Sequence, residues 1–143
     1  MKIHEILRAK GFDVVTVPPQ FPLLDAMRLL VKHNIGSLVV AEEKSVKGII
    51  TERDILRLGA EDPQNFRSKA VGEVMTEDVV VGVPDDTLDY VMEVMTQNRI
   101  RHLPIVDDGW LEGILSIGDV VNALRSRVEA ENRHLRDYIT GRS

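Results

Sequence analysis

Two short stretches of this chain carry residue types that can hold small polar molecules. Thr51-Glu52-Arg53-Asp54 and Ser116-Ile117-Gly118-Asp119 share one pattern: a hydroxyl, two residues, then a carboxylate. At a helix start this spacing is a capping box, in which hydroxyl and carboxylate each accept a hydrogen bond from the other residue's backbone N–H. A helix start also offers free N–H donors, which favour a phosphate. Basic side chains stand close by in sequence: Arg53 in the first stretch, and Arg99, Arg101 and His102 shortly before the second. Taken singly, each arginine is a solvated surface charge, and His102 packs under its strand. An arginine nevertheless suits phosphate, because its planar fork contacts two oxygens at once.

Signals for catalysis fail one after another. His4-Glu5 lacks the second histidine of H-E-x-x-H, and neither G-x-G-x-x-G nor G-x-x-x-x-G-K-[ST] occurs. The four histidines are scattered, so no Ser-His-Asp set is suggested. With no cysteine, disulfides, thiolate nucleophiles and cysteine-ligated zinc are removed together. No catalytic residue and no metal site is expected.

The elements that would position these stretches come from an internal repeat. Laid against itself 65 residues on, the chain matches residues 13–58 to 78–123 without a gap. Identical pairs include Asp13/Asp78, Pro19/Pro84, Leu23/Leu88, Met27/Met92, Ile35/Ile100, Leu38/Leu103, Gly48/Gly113 and Asp54/Asp119. A shorter echo lies upstream, with Ile3–Leu7 against Val71–Met75. Each copy reads strand, helix, strand, strand, helix. In the first, Val14–Val17 is an apolar strand stopped by Pro18-Pro19. Leu23, Ala26, Met27, Leu30 and Val31 recur at helical spacing, and Asn34 and Gly36 punctuate the end. Leu38–Ala41 and Val46–Thr51 form a hairpin around Glu42–Ser45, and a helix follows from Thr51. The second copy repeats this as Val79–Val81, Leu88–Asn98, His102–Val106, Leu111–Leu115 and a helix from near Ser116. Gly59–Ala70 reads as a surface linker. The last helix runs on, because Val121, Leu124, Val128, Leu135 and Tyr138 keep a three/four spacing that Glu131 interrupts. Such an extension finds an apolar partner in another subunit or stays half-solvated.

Bulk properties bound the reading further. With 143 residues, two units of this size bury little surface alone and must pack on each other. Aromatics are only 4%, so the core is aliphatic. A net charge of −5 disfavours nucleic acid, which calls for a basic surplus. The charged start Met1–Glu5 lacks the apolar run of a signal peptide, and nothing approaches a membrane span, so a cytoplasmic protein is expected.

The run Arg99–Val106 followed by Gly113–Asp119, echoed by Asn34–Val40 and Gly48–Asp54, resembles the CBS domain, named after cystathionine β-synthase. The resemblance covers nearly the whole chain. It implies an α/β (α+β) fold of two tandem β-α-β-β-α repeats packed with pseudo-two-fold symmetry. The units expected are residues 1–62, 68–128 and a C-terminal helical extension over 129–143. It implies clefts between the repeats that take adenosine-containing ligands such as AMP, ATP, NAD or S-adenosylmethionine, and a regulatory role on a partner protein that the sequence does not identify. It further implies a homodimer, through the faces of the CBS pair and the last helix.

By that resemblance Asp54 and Asp119 accept hydrogen bonds from ribose hydroxyls, and the arginines meet phosphate. One repeat's aspartate is expected to share a cleft with the other's phosphate-side residues. The first cleft then combines Thr51, Arg53 and Asp54 with Arg101 and His102, with Thr16 and Pro18 at the adenine. The second combines Ser116 and Asp119 with Gly36, Ser37 and Leu38, and with Val81, Ile100 and Pro104. Val15 and Val17, with Ile35, extend one adenine slot, and Val80 and Leu103 the other; the bland alternative is that these are ordinary core. Because Gly36-Ser37 stands where the second copy has Arg101-His102, a phosphorylated ligand is expected to prefer the first cleft. The competing expectation is a structural adaptor with degenerate clefts, dimerising and docking without a nucleotide.

Overall fold

The computed structural model describes residues 1–139; the last four residues of the expected extension lie outside them. Helix α1 (Ile3–Lys10) precedes the first repeat, which contains β1 (Thr16–Val17), α2 (Leu23–His33), β2 (Ser37–Glu42), β3 (Ser45–Thr51) and α3 (Glu52–Glu61). A 3-10 turn (Phe66–Ser68) and the short α4 (Val71–Val74) lead to the second repeat. That repeat holds α5 (Leu88–Asn98), β4 (His102–Asp107), β5 (Trp110–Ser116) and α6 (Ile117–Ile139).

Each hairpin is antiparallel, and its register places Ser37 opposite Thr51 and His102 opposite Ser116. β1 joins β2 in parallel, giving a three-stranded sheet, while β4 and β5 form a sheet of two. The expected strand over Val79–Val81 is absent. Only Gly82 bridges Ile105 in parallel, so the second copy keeps the position of the first strand but little of its pairing. The first-strand expectation is also trimmed, from Val14–Val17 to Thr16–Val17. Gly59 lies inside α3 rather than in a linker, packed toward Phe66. An amphipathic helix tolerates one glycine where its apolar face is already docked.

α2 and α5 end alike, on Asn34 and Arg99 in the left-handed region, with φ of 52° and 54°. In that conformation the cap N–H of each reaches back to carbonyls of the last turn.

The two cores are aliphatic and they interlock. One contains Val17, Leu23, Ala26, Leu38, Val40, Ile50 and Ile55 of the first repeat together with Val71 from α4. The other contains Leu88, Val91, Leu103, Ile105 and Leu115 of the second repeat together with Ile3, Ile6 and Leu7 from α1. The helix preceding each repeat therefore packs into the opposite one. Backbone bonds fix the exchange symmetrically. Ile3 N–H donates to Asp86 O and His4 N–H to Pro84 O, while Val71 N–H donates to Phe21 O and Gly72 N–H to Pro19 O. Gly48 and Gly113, identical in the two copies, are the places where the crossing segments pass. A Cβ on Gly48 would sit 2.5 Å from Met75 Sδ, and one on Gly113 3.0 Å from Leu7 Cδ2. Burying Ile3 and Leu7 this way contributes roughly 1.5–3 kcal/mol each.

Candidate functional site

Both hydroxyl-carboxylate stretches form the expected capping boxes. Thr51 N–H donates to Asp54 Oδ2 at 3.0 Å, and Asp54 N–H to Thr51 Oγ1 at 3.2 Å. Ser116 N–H donates to Asp119 Oδ2 at 2.8 Å, and Asp119 N–H to Ser116 Oγ at 3.1 Å. The residue before β2 or β4 closes each helix start from outside. Glu52 N–H donates to Gly36 O, and Ile117 N–H to Arg101 O. The two ends are thus built alike, each beside the first residue of its own hairpin.

These ends meet at the boundary between the repeats. A Cβ built on Gly36 would lie 2.5 Å from Glu52 Oε1 and 3.4 Å from His102 Cε1, so the residue preceding β2 abuts the first residue of β4. His102 is half-buried there. Burial lowers its pKa from the ordinary 6.5; Glu52 opposes the shift, Lys10 and Arg101 add to it, and Asp119 opposes it weakly. Asp119 is also held below the usual carboxylate range. Burial pushes it up, but the Lys10 hydrogen bond, the Ser116 N–H, the Lys10 charge and the Ser116 hydroxyl together outweigh that.

The placement of the other expected residues is mixed. Arg53 and Arg101 are exposed at the two ends. Asp54 turns its carboxylate to Thr51 and toward the Thr76 hydroxyl, 3.4 Å and 3.5 Å away, whereas the charged groups around His102 are Glu52, Lys10, Arg101 and Asp119. His102 stands near Asp119 because β4 is paired with the strand that ends in Ser116. Leu38, Leu103 and Val17 are buried in the cores. Pro104 is buried as well, its carbonyl accepting from Gly82 N–H. Ile35 packs against the first core, and Ile100 and Val80 against the second. Thr16 is exposed and pairs with Val39 in mid-strand, and Val81 is exposed. Ser37 is buried at the start of β2. Pro18 lies toward the opposite end of the sheet, beside a depression of about 650 Å³ shared with Glu42, Lys47 and Trp110. A parallel β1 carries the chain away from the helix starts, which is why Pro18 leaves them.

Three participants escaped the sequence reading: Lys10, Glu52 and Thr76. Lys10 Nζ donates to Asp119 Oδ2 and to Ile114 O. The upstream echo of Ile3–Leu7 in Val71–Met75 was the available signal, since Thr76 follows one half directly and Lys10 comes three residues after the other. Without the crossing of α1 and α4, nothing ties either residue to a helix start over a hundred positions, or twenty, away.

Two tandem α/β repeats, with matched carboxylate-bearing helix starts where they meet, form a domain pair. The CBS domain family model matches residues 5–61 and 71–126, and the chain belongs to that family. It is 39% identical to the mitochondrial CBS domain-containing protein CBSX3 of Arabidopsis thaliana, over 97% of this chain and 72% of that one. Its fold superposes on a CBS-domain containing protein from Agrobacterium tumefaciens with a TM-score of 0.81 and 40% identity, over 86% of this chain and 98% of that one. It also superposes on CBSX2 in complex with AMP, with a TM-score of 0.73 and 29% identity, over 87% and 96% of the two chains. Among the described residues, no helix is long and apolar enough to cross a membrane.

Proposed function

We propose that this chain is a non-catalytic sensor that binds an adenosine-containing nucleotide at the helix start carrying Thr51 and Asp54. The ligand class is AMP, ATP or NAD, and the bound state alters contacts with a partner protein. The observation that carries this reading is the half-buried Asp54 carboxylate, framed by the Thr51 backbone N–H and the Thr76 hydroxyl at the first turn of α3. A carboxylate so placed accepts from two vicinal ribose hydroxyls, and the N–H groups of the helix start favour the phosphate beyond them. Arg53 and Arg101 supply positive charge around that boundary, and His102 adds a neutral hydrogen-bonding ring. CBSX2, which shares this fold, has been solved with AMP.

Isothermal titration with AMP tests the reading. Loss of one charge-assisted hydrogen-bond acceptor costs about 1.5–3 kcal/mol, so Asp54→Ala should weaken AMP about 10- to 150-fold. Undiminished affinity in that variant would overturn the assignment. If AMP, ATP and NAD all leave the melting temperature unmoved, the clefts are degenerate and the adaptor reading stands in its place.

We further propose that the partner of α6 is the α6 of a second copy. Beyond Leu124 the helix leaves its own core, and its apolar positions Val121, Leu124, Val128, Leu135 and Tyr138 recur in steps of three, four and seven, the spacing of a coiled-coil seam. Val128 is 44% and Leu135 59% exposed. An identical helix matches that seam in length and spacing, and Glu131 within it has Arg125 close by in sequence to offer a facing copy.

A further inference from the structure

Asp54 and Asp119 occupy matched positions, but their third partners differ in kind. Asp54 meets the neutral Thr76 hydroxyl at 3.4 Å and 3.5 Å, long for an O–H···O bond, and a hydroxyl can rotate away. Asp119 meets the Lys10 ammonium, which also donates to Ile114 O at 2.6 Å. That pair is well screened from water, with the two side chains 28% and 21% exposed. The backbone that carries the lysine is anchored as well. Lys10 ends α1, whose Ile3 and Leu7 are sealed in the core of the second repeat and whose first N–H groups are bonded to Asp86 and Pro84.

A carboxylate that binds a vicinal diol must present lone pairs on both oxygens. Oδ2 of Asp119 already accepts from Ser116 N–H and from Lys10, and a ribose would have to displace a charged donor with a neutral one. We propose that Lys10 is a built-in occupant of the Asp119 carboxylate, so that the chain loads one nucleotide, at Asp54, and withholds its second ribose site. This rests on the reading of the two aspartates as ribose acceptors. It places the inequality of the two clefts on the crossing of α1, independently of the Gly36-Ser37 and Arg101-His102 difference.

Titration with AMP across a small set of full-length variants tests it. The expected stoichiometry is one AMP per chain for the unaltered protein, with that site weakened about 10- to 150-fold in Asp54→Ala. Lys10→Met should expose a second site, tightening it at least tenfold, and Lys10→Met/Asp54→Ala should retain one site that adding Asp119→Ala abolishes. Lys10→Gln, which keeps length and polarity without charge, guards against a packing effect and should behave as Lys10→Met. Two equal sites in the unaltered protein, or one site persisting in both Lys10 variants, would overturn the proposal. So would weaker AMP binding on loss of Lys10, because the lysine would then be a ligand contact. If the unaltered protein and every variant ignore AMP, the ribose reading fails first and this inference goes with it.

Discussion

At the scale of single residues, two left-handed caps close matched helices, and one half-buried histidine stands where the repeats meet. Arg99 holds the left-handed cap that Asn34 holds in the first repeat. An L-residue other than asparagine or glycine pays about 1–2 kcal/mol there, and glycine returns part of that as chain entropy. Arg99→Gly should therefore raise stability by about 0.5–1 kcal/mol, read as a higher denaturant midpoint at constant slope; an unchanged or lower midpoint would mean that Arg99 makes a compensating contact. His102 gives a pH dependence. Because burial lowers its folded pKa, the unfolded chain takes up the proton more readily. The contribution of neutral His102 is complete above the ordinary value of 6.5 and is lost as pH falls below it. His102→Gln should thus flatten the fall in melting temperature between about pH 7 and about pH 5.5, and a fall as steep as before would exclude His102 as its source.

At the scale of elements, the exchange of α1 and α4 binds the repeats into one folding unit. Leu7→Ala empties a fully buried position in the core of the second repeat and should cost about 2–5 kcal/mol, although Leu7 precedes the first repeat in sequence. Chemical denaturation of that variant should remain a single transition. A second transition, with the first repeat surviving alone, would show that the exchange does not couple the cores. Element existence was largely legible: α5 spans Leu88–Asn98 as its apolar spacing predicts, and both hairpins fall where the β-branched runs place them. Those signals are local, and helix or strand periodicity fixes them without reference to neighbours. The missing strand over Val79–Val81 is the counterexample. Its composition matches Val14–Val17, but a strand exists only where a neighbour completes its hydrogen bonds, and beside β4 only Gly82 does so.

At the scale of the whole molecule, the apolar seam of α6 is the feature left without a core of its own. Leu135→Asp and Val128→Asp alter exposed positions and should leave monomer stability within about 0.5 kcal/mol while converting a dimer to a monomer by light scattering. A dimer that persists in both would place the interface elsewhere. Sequence by itself determined the duplication, the family, the capping boxes and the pair of aspartates, because each is written in neighbouring residues or in a repeat at fixed offset. Only the tertiary structure decided what each aspartate meets. Asp54 and Asp119 are equivalent as sequence, and they become unequal when α1 crosses to the far repeat and sets Lys10 on one carboxylate while α4 leaves Thr76 near the other. That crossing is driven by burying Ile3, Ile6, Leu7 and Val71, and burial is a property of the assembled cores that no local spacing encodes.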